Sequence, residues 1–291
     1  MEKIVFFICE GAHDTAFLYR LFLTEGFQTY KEIIGKFPKP LDSFILKALS
    51  RGDYENMKLM ETGRKTIPTE ILFKWKTLVM FYDIGGDSNK KRRKDLIEQF
   101  LALKPSDESG EYEWNAQKIQ EYFFIYFFDA DHKGVAQRVK EVEQEVKEIF
   151  NIDSVKISHA GKTQVLKGYS VGCYIFAKDD GYGKLEDIMI PLMREGNEEI
   201  FQKAADFLKF KEEGRLSKLK IVKRTDGEFE EKYSTKKLDF DEKKSQIGIA
   251  GQLQVSGKSN TVIIKDTDYI KLQKIRDNHL CRNILNFIHS L

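Results

Sequence analysis

Acidic side chains follow three apolar runs of the sequence, each at the point where the run ends. If these runs are strands of one parallel sheet, their carboxyl ends meet at the same edge and the carboxylates converge. Converging carboxylates repel one another unless a cation neutralises them, and oxygen ligands favour Mg²⁺ or Mn²⁺ over Zn²⁺. The residues concerned are Glu10, Asp83, Asp87, Asp129 and Asp131.

The spacing of Asp129 and Asp131 adds to this interpretation. Side chains alternate along an extended chain, so two carboxylates separated by one residue point to the same side and can address one ion. Magnesium held by carboxylates polarises a phosphoryl oxygen and lowers the pKa of a water molecule, and two ions stabilise both the attacking and the leaving oxygen. These are the minimum requirements for phosphodiester hydrolysis.

A repeated order of strand and helix positions these residues. The first run, 4–9, is β-branched and aromatic without alternation, which is typical of a strand covered on both faces in a parallel sheet. The repeat predicts an α/β fold in which helices flank a parallel sheet with right-handed crossovers. The predicted strands and the helices that follow them are 4–9 with 14–27, 78–82 with 90–103, 122–128 with 135–150, and 171–177 with a helix that begins near 185.

We place a boundary near residue 196. Residues 28–70 are expected to be helical or irregular. Beyond 197 the chain is charged and its pattern is helical, and a Lys/Glu-rich stretch over 211–237 fits an exposed arm. We therefore predict an α/β catalytic domain over 1–196 and a mostly helical, charged region over 197–291.

Composition excludes several classes of protein. Among the 291 residues, 41% are hydrophobic and 32% are charged, which is typical of a folded globular chain and not of a disordered one. No apolar run is long enough to cross a bilayer, and the three cysteines are widely separated, so we expect no membrane partner, no structural zinc and a cytoplasmic location. With a net charge of only +2, any site for a polyanion must be a local patch.

Three motifs, taken in order, resemble the signature of Toprim domains. The stretch ICEGAHDTAFL at 8–18 is similar to the strand of that family that ends in Glu-Gly with an Asp four residues after the Glu. DIGGDSN at 83–89 looks like the glycine turn, and FFDADHKG at 127–134 resembles the Asp-x-Asp strand end. Toprim domains bind magnesium through this glutamate and these aspartates. The resemblance implies a Toprim-like (Rossmann-like) fold over residues 1–195, with Mg²⁺ or Mn²⁺ as cofactor.

The EGxxD spacing and GKLEDIMIPL at 183–192 look more like the nuclease branch of the family, which includes OLD-type nucleases and an uncharacterised bacterial group. This resemblance implies an endonuclease that hydrolyses DNA or RNA. OLD-type nucleases work with an ATPase module, so a separate ATPase partner and a role in bacterial phage defence are implied as well. The alternative is an inactive Toprim scaffold that binds nucleic acid or a partner protein.

The resemblance also implies roles for individual residues. Glu10 becomes a metal ligand or general base, Asp129 and Asp131 become metal ligands, and Asp14 supports or binds a second ion. The later acidic pair of the nuclease branch matches Glu186 and Asp187, and glycine at 85 and 86 lets the backbone approach the metal or a phosphate because it lacks a Cβ. The candidate nucleic-acid contacts are Lys90, Lys91, Arg92, Arg93 and Lys184. A lysine that stabilises charge on the phosphate could be Lys184, Lys243, Lys244 or Lys258.

Structural alternatives to these roles stay open. Asp14 could simply cap the first helix, and Glu186 with Asp187 could be an ordinary acidic first turn. A run of positive charge such as 90–94 is usually a solvated helix face. We interpret the two histidines beside the acidic motifs, at positions 13 and 132, as incidental.

Overall fold

The computed structural model describes residues 2–50, 67–86, 89–102, 121–211, 217–237 and 240–291. The chain forms two compact units, one of residues 1–188 with 271–291 and one of residues 189–270. The division therefore differs from the boundary expected at 196, because the last part of the predicted C-terminal region belongs to the first unit. Asp87, one of the acidic strand-end residues, lies outside the described residues.

The first unit contains one mixed sheet. Its strands are β1 (Lys3–Cys9), β2 (Gln28–Thr29), β3 (Glu70–Lys74), β4 (Thr77–Asp83), β5 (Glu121–Asp129), β6 (Gln164–Leu166) and β7 (Tyr169–Phe176). They are ordered β2-β3-β4-β1-β5-β7-β6. The four central strands are parallel, whereas β2, β3 and β6 pair antiparallel at the edges. The predicted α/β class is confirmed. The prediction was a parallel sheet, whereas the sheet in the structure is mixed because its edge strands are antiparallel.

Helices flank the sheet and make up much of the second unit. In chain order they are α1 (Ala12–Thr24), α2 (Leu41–Ser50), α3 (Lys90–Leu101), α4 (Val135–Phe150), α5 (Leu185–Arg194), α6 (Glu198–Leu208), α7 (Glu242–Gly251), α8 (Asn260–Asp266), α9 (Leu272–Asp277) and α10 (His279–His289). Among the described residues, no helix is both long and apolar enough to cross a membrane.

Burial on both faces explains why the central strands show no alternation. On one face of β1, the ring of Phe6 lies 4.0 Å from that of Phe100 in α3. On the other face, Phe7 packs against Phe22 of α1, with ring centroids 5.4 Å apart. The register pairs Cys9 of β1 with Phe127 of β5. The residues that follow β1 and end β5 are thereby brought to the same edge of the sheet.

The second unit has its own small core and a β-hairpin. Phe201 packs against Tyr269 with ring centroids 5.4 Å apart, and the Tyr269 hydroxyl donates to the carbonyl of Ala250 at 2.8 Å. The stretch expected to be an exposed arm contains the antiparallel strands β8 (Ser217–Lys223) and β9 (Phe229–Lys237). The C-terminal region is therefore not as uniformly helical as predicted.

Candidate functional site

Glu10 lies directly after β1 and connects two remote parts of the chain. Its Oε2 accepts a hydrogen bond from the backbone N–H of Asp129 at 3.0 Å. The backbone N–H of Glu10 donates to the carbonyl of Phe127 at 3.2 Å. Glu10 is only partly buried, so its carboxylate is held at the end of β5 with access to solvent.

Gly85 makes this arrangement possible by packing on the end of β1. Its N–H donates to the carbonyl of Cys9 at 2.7 Å, and a Cβ at Gly85 would lie 1.9 Å from the Cα of Glu10. The close backbone approach expected of this glycine is therefore made to β1. Gly86 has a φ of +77°, which favours glycine, and its carbonyl accepts a hydrogen bond from Arg93.

Asp14 caps a helix, which is one of the two roles that the sequence left open. Its Oδ2 accepts a hydrogen bond from the N–H of Gly11 at 2.7 Å, so it caps α1. Only 5% of the residue is exposed. Burial raises its pKa well above the ordinary value, and the carboxylates of Asp129, Glu10 and Glu186 raise it further, while the Gly11 amide acts in the opposite direction. Asp14 is both a cap and a member of a group of carboxylates.

Asp129 ends β5 and is the most informative of these carboxylates. Its Oδ1 accepts a hydrogen bond from the N–H of Leu185 at 2.8 Å, where α5 begins. Burial, together with the charges of Glu10, Glu186 and Asp131, raises the pKa of Asp129 to about 8, although the Leu185 amide opposes this. In the absence of a cation, Asp129 therefore holds a proton at neutral pH.

Glu186 reaches the same place from the first turn of α5. It is 2% exposed, and its Oε1 lies 3.0 Å from Nδ1 of His13. The interpretation of His13 as incidental therefore overlooked this contact, although its position inside the EGxxD motif was a signal. We use the name acidic cluster for Glu10, Asp14, Asp129 and Glu186.

Asp131 does not take the expected position. The expectation that it shares one side with Asp129 assumed an extended chain, but β5 ends at Asp129 and Asp131 has a φ of +49°. Its Oδ2 accepts a hydrogen bond from Nη2 of Arg138 at 2.7 Å. Asp131 still adds to the rise in the pKa of Asp129, but its carboxylate is engaged by an arginine.

Two other acidic candidates have local roles. Asp187 accepts a hydrogen bond from the N–H of Lys184 at 3.0 Å, as expected of an acidic residue in an ordinary first turn. Asp83 accepts hydrogen bonds from the hydroxyls of Thr15 and Thr69. Burial raises the pKa of Asp83, against the effect of these two hydroxyls.

The basic run at the start of α3 is not a uniform surface for nucleic acid. Arg93 was expected to contact nucleic acid, but it is 4% exposed and forms a two-pronged ion pair with Glu145, with N–O distances of 2.8 and 2.6 Å. It also donates to the carbonyl of Gly86 at 2.6 Å, which fixes the glycine turn. Lys90 pairs with Glu148 at 2.9 Å, and Lys91 is exposed.

The remaining basic candidates are spread over both units. Arg92 is partly buried in α3, and Lys184 directly precedes α5. Lys243, Lys244 and Lys258 belong to the second unit.

The ligand type of the acidic cluster fits a divalent cation, whereas the distances between its carboxylates do not form a ready-made metal site among the described residues. In the part of the chain that the structure describes, no three Asp, Glu, His or Cys side chains form a group that could hold a metal ion. The four donors are nevertheless all carboxylates, which are the ligands that Mg²⁺ and Mn²⁺ prefer. Asp14 is buried and Asp129 is partly buried, and backbone amides are their described hydrogen-bond donors. A divalent cation would offset the repulsion that raises the pKa of both residues.

Comparisons with known proteins support the fold alone. No family model matches the sequence, and no curated protein matches it. The hypothetical protein PH0156 from Pyrococcus horikoshii OT3 has a similar crystal structure, with a TM-score of 0.51 and 15% identity over 99% of this chain and 95% of that chain. The chain thus has an α/β fold with a mixed seven-stranded sheet, parallel central strands, flanking helices and C-terminal helices.

Proposed function

We propose that the chain is a Toprim-type phosphodiesterase that uses Mg²⁺ or Mn²⁺ to cleave DNA or RNA. The observation that carries the proposal is the convergence of four carboxylates, from the end of β1 and from α1, β5 and α5. Burial raises the pKa of Asp14 and Asp129, and the neighbouring carboxylates raise it further. Buried groups of like charge are unfavourable for folding and are typical of functional sites. Hydrolysis of a phosphodiester is a reaction that such a group of carboxylates can support with a divalent cation.

Glu10, Asp14, Asp129 and Glu186 would hold the cation. When bound, it would polarise a phosphoryl oxygen and make the attacking water more acidic. The backbone N–H of Asp129 orients the Glu10 carboxylate, and the N–H of Leu185 orients that of Asp129. Because its pKa is about 8, Asp129 holds a proton near neutral pH, which a bound cation would displace.

The difference in exposure between these residues divides their roles. Asp14 and Glu186 are buried, so they act from inside the cluster as ligands. Glu10 is partly exposed, so it can also contact the attacking water as a general base. His13 lies beside Glu186 and holds that carboxylate in place.

Cleavage assays test the proposal. The parent and the variants Glu10→Gln and Asp129→Asn are compared on single-stranded and double-stranded DNA and RNA, with Mg²⁺, with Mn²⁺ and with a chelator. We expect each variant to lose about two orders of magnitude in rate. Asp187→Asn is the matched control, because Asp187 is outside the acidic cluster and an asparagine oxygen can also accept the hydrogen bond from the N–H of Lys184, so the variant should keep its activity. If the parent cleaves no substrate with either metal, or if both variants stay active, the proposal is wrong.

A second candidate function is a Toprim scaffold without activity that binds nucleic acid or a partner protein. The observation in its favour is that no three metal-binding side chains among the described residues are grouped for a shared ion. In that case the chain would retain nucleic acid in a gel-shift assay in the presence of a chelator. Mg²⁺ would produce no cleavage, and Glu10→Gln would not change the affinity.

We also propose, from the resemblance alone, a cytoplasmic location, a separate ATPase subunit and a role in bacterial phage defence. Purification of the tagged chain from its native cells, followed by an ATP hydrolysis assay, tests the subunit. Recovery of the chain without associated ATPase activity would contradict that part of the proposal.

A further inference from the structure

A cavity of about 400 Å³ opens between α3 and α4 in the first unit. The ring of Phe128 forms part of its wall, and the guanidinium of Arg93 lies over that ring at 5.1 Å from its centroid. This volume is within the range of about 300–1,000 Å³ that small-molecule sites occupy. The cavity is therefore large enough for a small organic anion.

The lining of the cavity is basic. It includes five cationic side chains and two carboxylates, and two further carboxylates, Glu148 and Asp131, pair with lining cations from outside the cavity, which leaves an excess of one positive charge. The cationic residues are Lys90, Arg93, Lys133, Arg138 and Lys140. A cavity with this excess attracts anions and disfavours cations.

Both carboxylates of the lining are already neutralised. Glu145 is paired with Arg93, and both residues are about 4% exposed. Glu141 is paired with Lys133 and with Arg138, each at 3.0 Å. Neither carboxylate therefore carries free negative charge that would repel an anion.

Two other hydrogen-bond donors of the lining, Lys140 and Gln137, are exposed at the cavity. Lys140 is exposed at the cavity, and it has no ion-pair partner among the residues that the structure describes. The amide of Gln137, which also lines the cavity, is exposed one turn earlier on α4. The ammonium of Lys140 and the amide of Gln137 share the lining with two arginines that are fixed by hydrogen bonds, and this set of donors needs little reorganisation to bind an oxyanion.

We propose that the cavity between α3 and α4 binds the phosphate group of a ligand between the sizes of pyrophosphate and a mononucleotide. The lining presents five cationic side chains, of which Lys140 has no ion-pair partner among the described residues, and arginine and lysine are the side chains that recognise phosphate. The proposal does not rest on phosphodiester hydrolysis, since no residue of the acidic cluster lines the cavity and binding requires no divalent cation.

Arg138 connects this cavity to the acidic cluster. Its Nε donates to the carbonyl of Asp129 at 2.8 Å, and its Nη2 donates to Asp131 at 2.7 Å. An anion bound in the cavity would partly offset the positive charge of this guanidinium while both contacts hold it in place. The ligand would thereby change the surroundings of Asp129 without touching it.

Titration calorimetry with inorganic pyrophosphate and with AMP tests the proposal. The ionic strength is held constant, and a chelator is present so that no metal ion at the acidic cluster contributes to binding. The parent is compared with Lys140→Glu. The matched control is Lys147→Glu, which makes the same change on α4 about two helical turns away and outside the cavity. A short single-stranded oligonucleotide is titrated as a second source of phosphate.

We expect the parent to bind at least one of these probes. The affinity of Lys140→Glu for that probe should be lower by a factor of about five or more, and that of Lys147→Glu should equal the affinity of the parent. Binding of the oligonucleotide alone, with the same loss in Lys140→Glu, would assign the phosphate to a nucleic-acid backbone. The proposal is overturned if no probe binds or if both variants change affinity equally. Circular dichroism of the variants checks that the fold is retained.

Discussion

We expect Asp129→Asn to stabilise the first unit at neutral pH when no divalent cation is present. The carboxyl group of Asp129 is partly buried beside Glu10 and Glu186, and its pKa is raised by burial and by the charges of these neighbours. Asparagine cannot ionise, and it keeps an oxygen that can accept the hydrogen bond from the N–H of Leu185. The substitution thus removes the cost of keeping the carboxyl group protonated in the folded protein, and it keeps the packing.

The pKa gives the size of this effect. It is about 8 in the folded protein, against an ordinary value of 3.8, so the folded protein keeps a proton that the unfolded chain releases. The stability contributed by this group is therefore complete below about pH 4 and falls as the pH rises towards 8. At about pH 7 the loss is roughly 4 kcal/mol, at about 1.4 kcal/mol for each pKa unit. Water entry and movement of neighbouring carboxylates reduce it, so we expect a gain of about 2–4 kcal/mol for Asp129→Asn.

Hydrogen exchange of the β5 amides measures this gain locally, which is necessary because the chain has two compact units. The gain should increase between about pH 5 and about pH 8 when a chelator is present. Asp131→Asn is the matched control: it breaks the ion pair with buried Arg138 and should lose stability. An Asp129→Asn variant that is less stable than the parent at neutral pH, or a gain that does not change with pH, would refute the reasoning.

Gly85→Ala should lower the free energy of unfolding by about 1–3 kcal/mol, since its Cβ would overlap the backbone of Glu10; a variant as stable as the parent in urea unfolding would contradict this. Arg93→Met should cost about 3–5 kcal/mol because it leaves Glu145 buried without its partner, and adding Glu145→Met should recover part of the loss. The affinity for Mn²⁺ should rise with pH up to about 8 as the cation displaces the proton of Asp129. Calorimetry in two buffers should detect proton release, and its absence would count against this assignment.

The central strands and their helices could be predicted because burial on both faces leaves continuous apolar runs. The helix predicted over 135–150 has the bounds Val135–Phe150 in the structure. The edge strands were not predicted. β3 is half exposed and β2 has only two residues, so neither has a long apolar run. The β8–β9 hairpin was missed because the Lys/Glu-rich composition of 211–237 favoured an exposed arm, although Leu219 and Ile221 alternate with lysines in β8.

The positions of site residues at strand ends could be predicted from the sequence. The positions of residues that are held by ion pairs with remote side chains could not. Glu10 and Asp129 meet because parallel strands end at one edge, which is a general property of such sheets. Asp131 lies elsewhere because of one residue with positive φ, which no local pattern indicated. Arg93 looked like part of a charged surface, since its partner Glu145 is remote in sequence and only the fold brings them together.

Anomalous diffraction from crystals soaked in Mn²⁺ near pH 8, where Asp129 gives up its proton, is the most direct measurement of whether this edge of the sheet holds a cation. We predict a peak coordinated by carboxylate oxygens of both Glu10 and Asp129. If no anomalous peak lies near these two residues and Glu10 still accepts the hydrogen bond from the N–H of Asp129, this result contradicts the account.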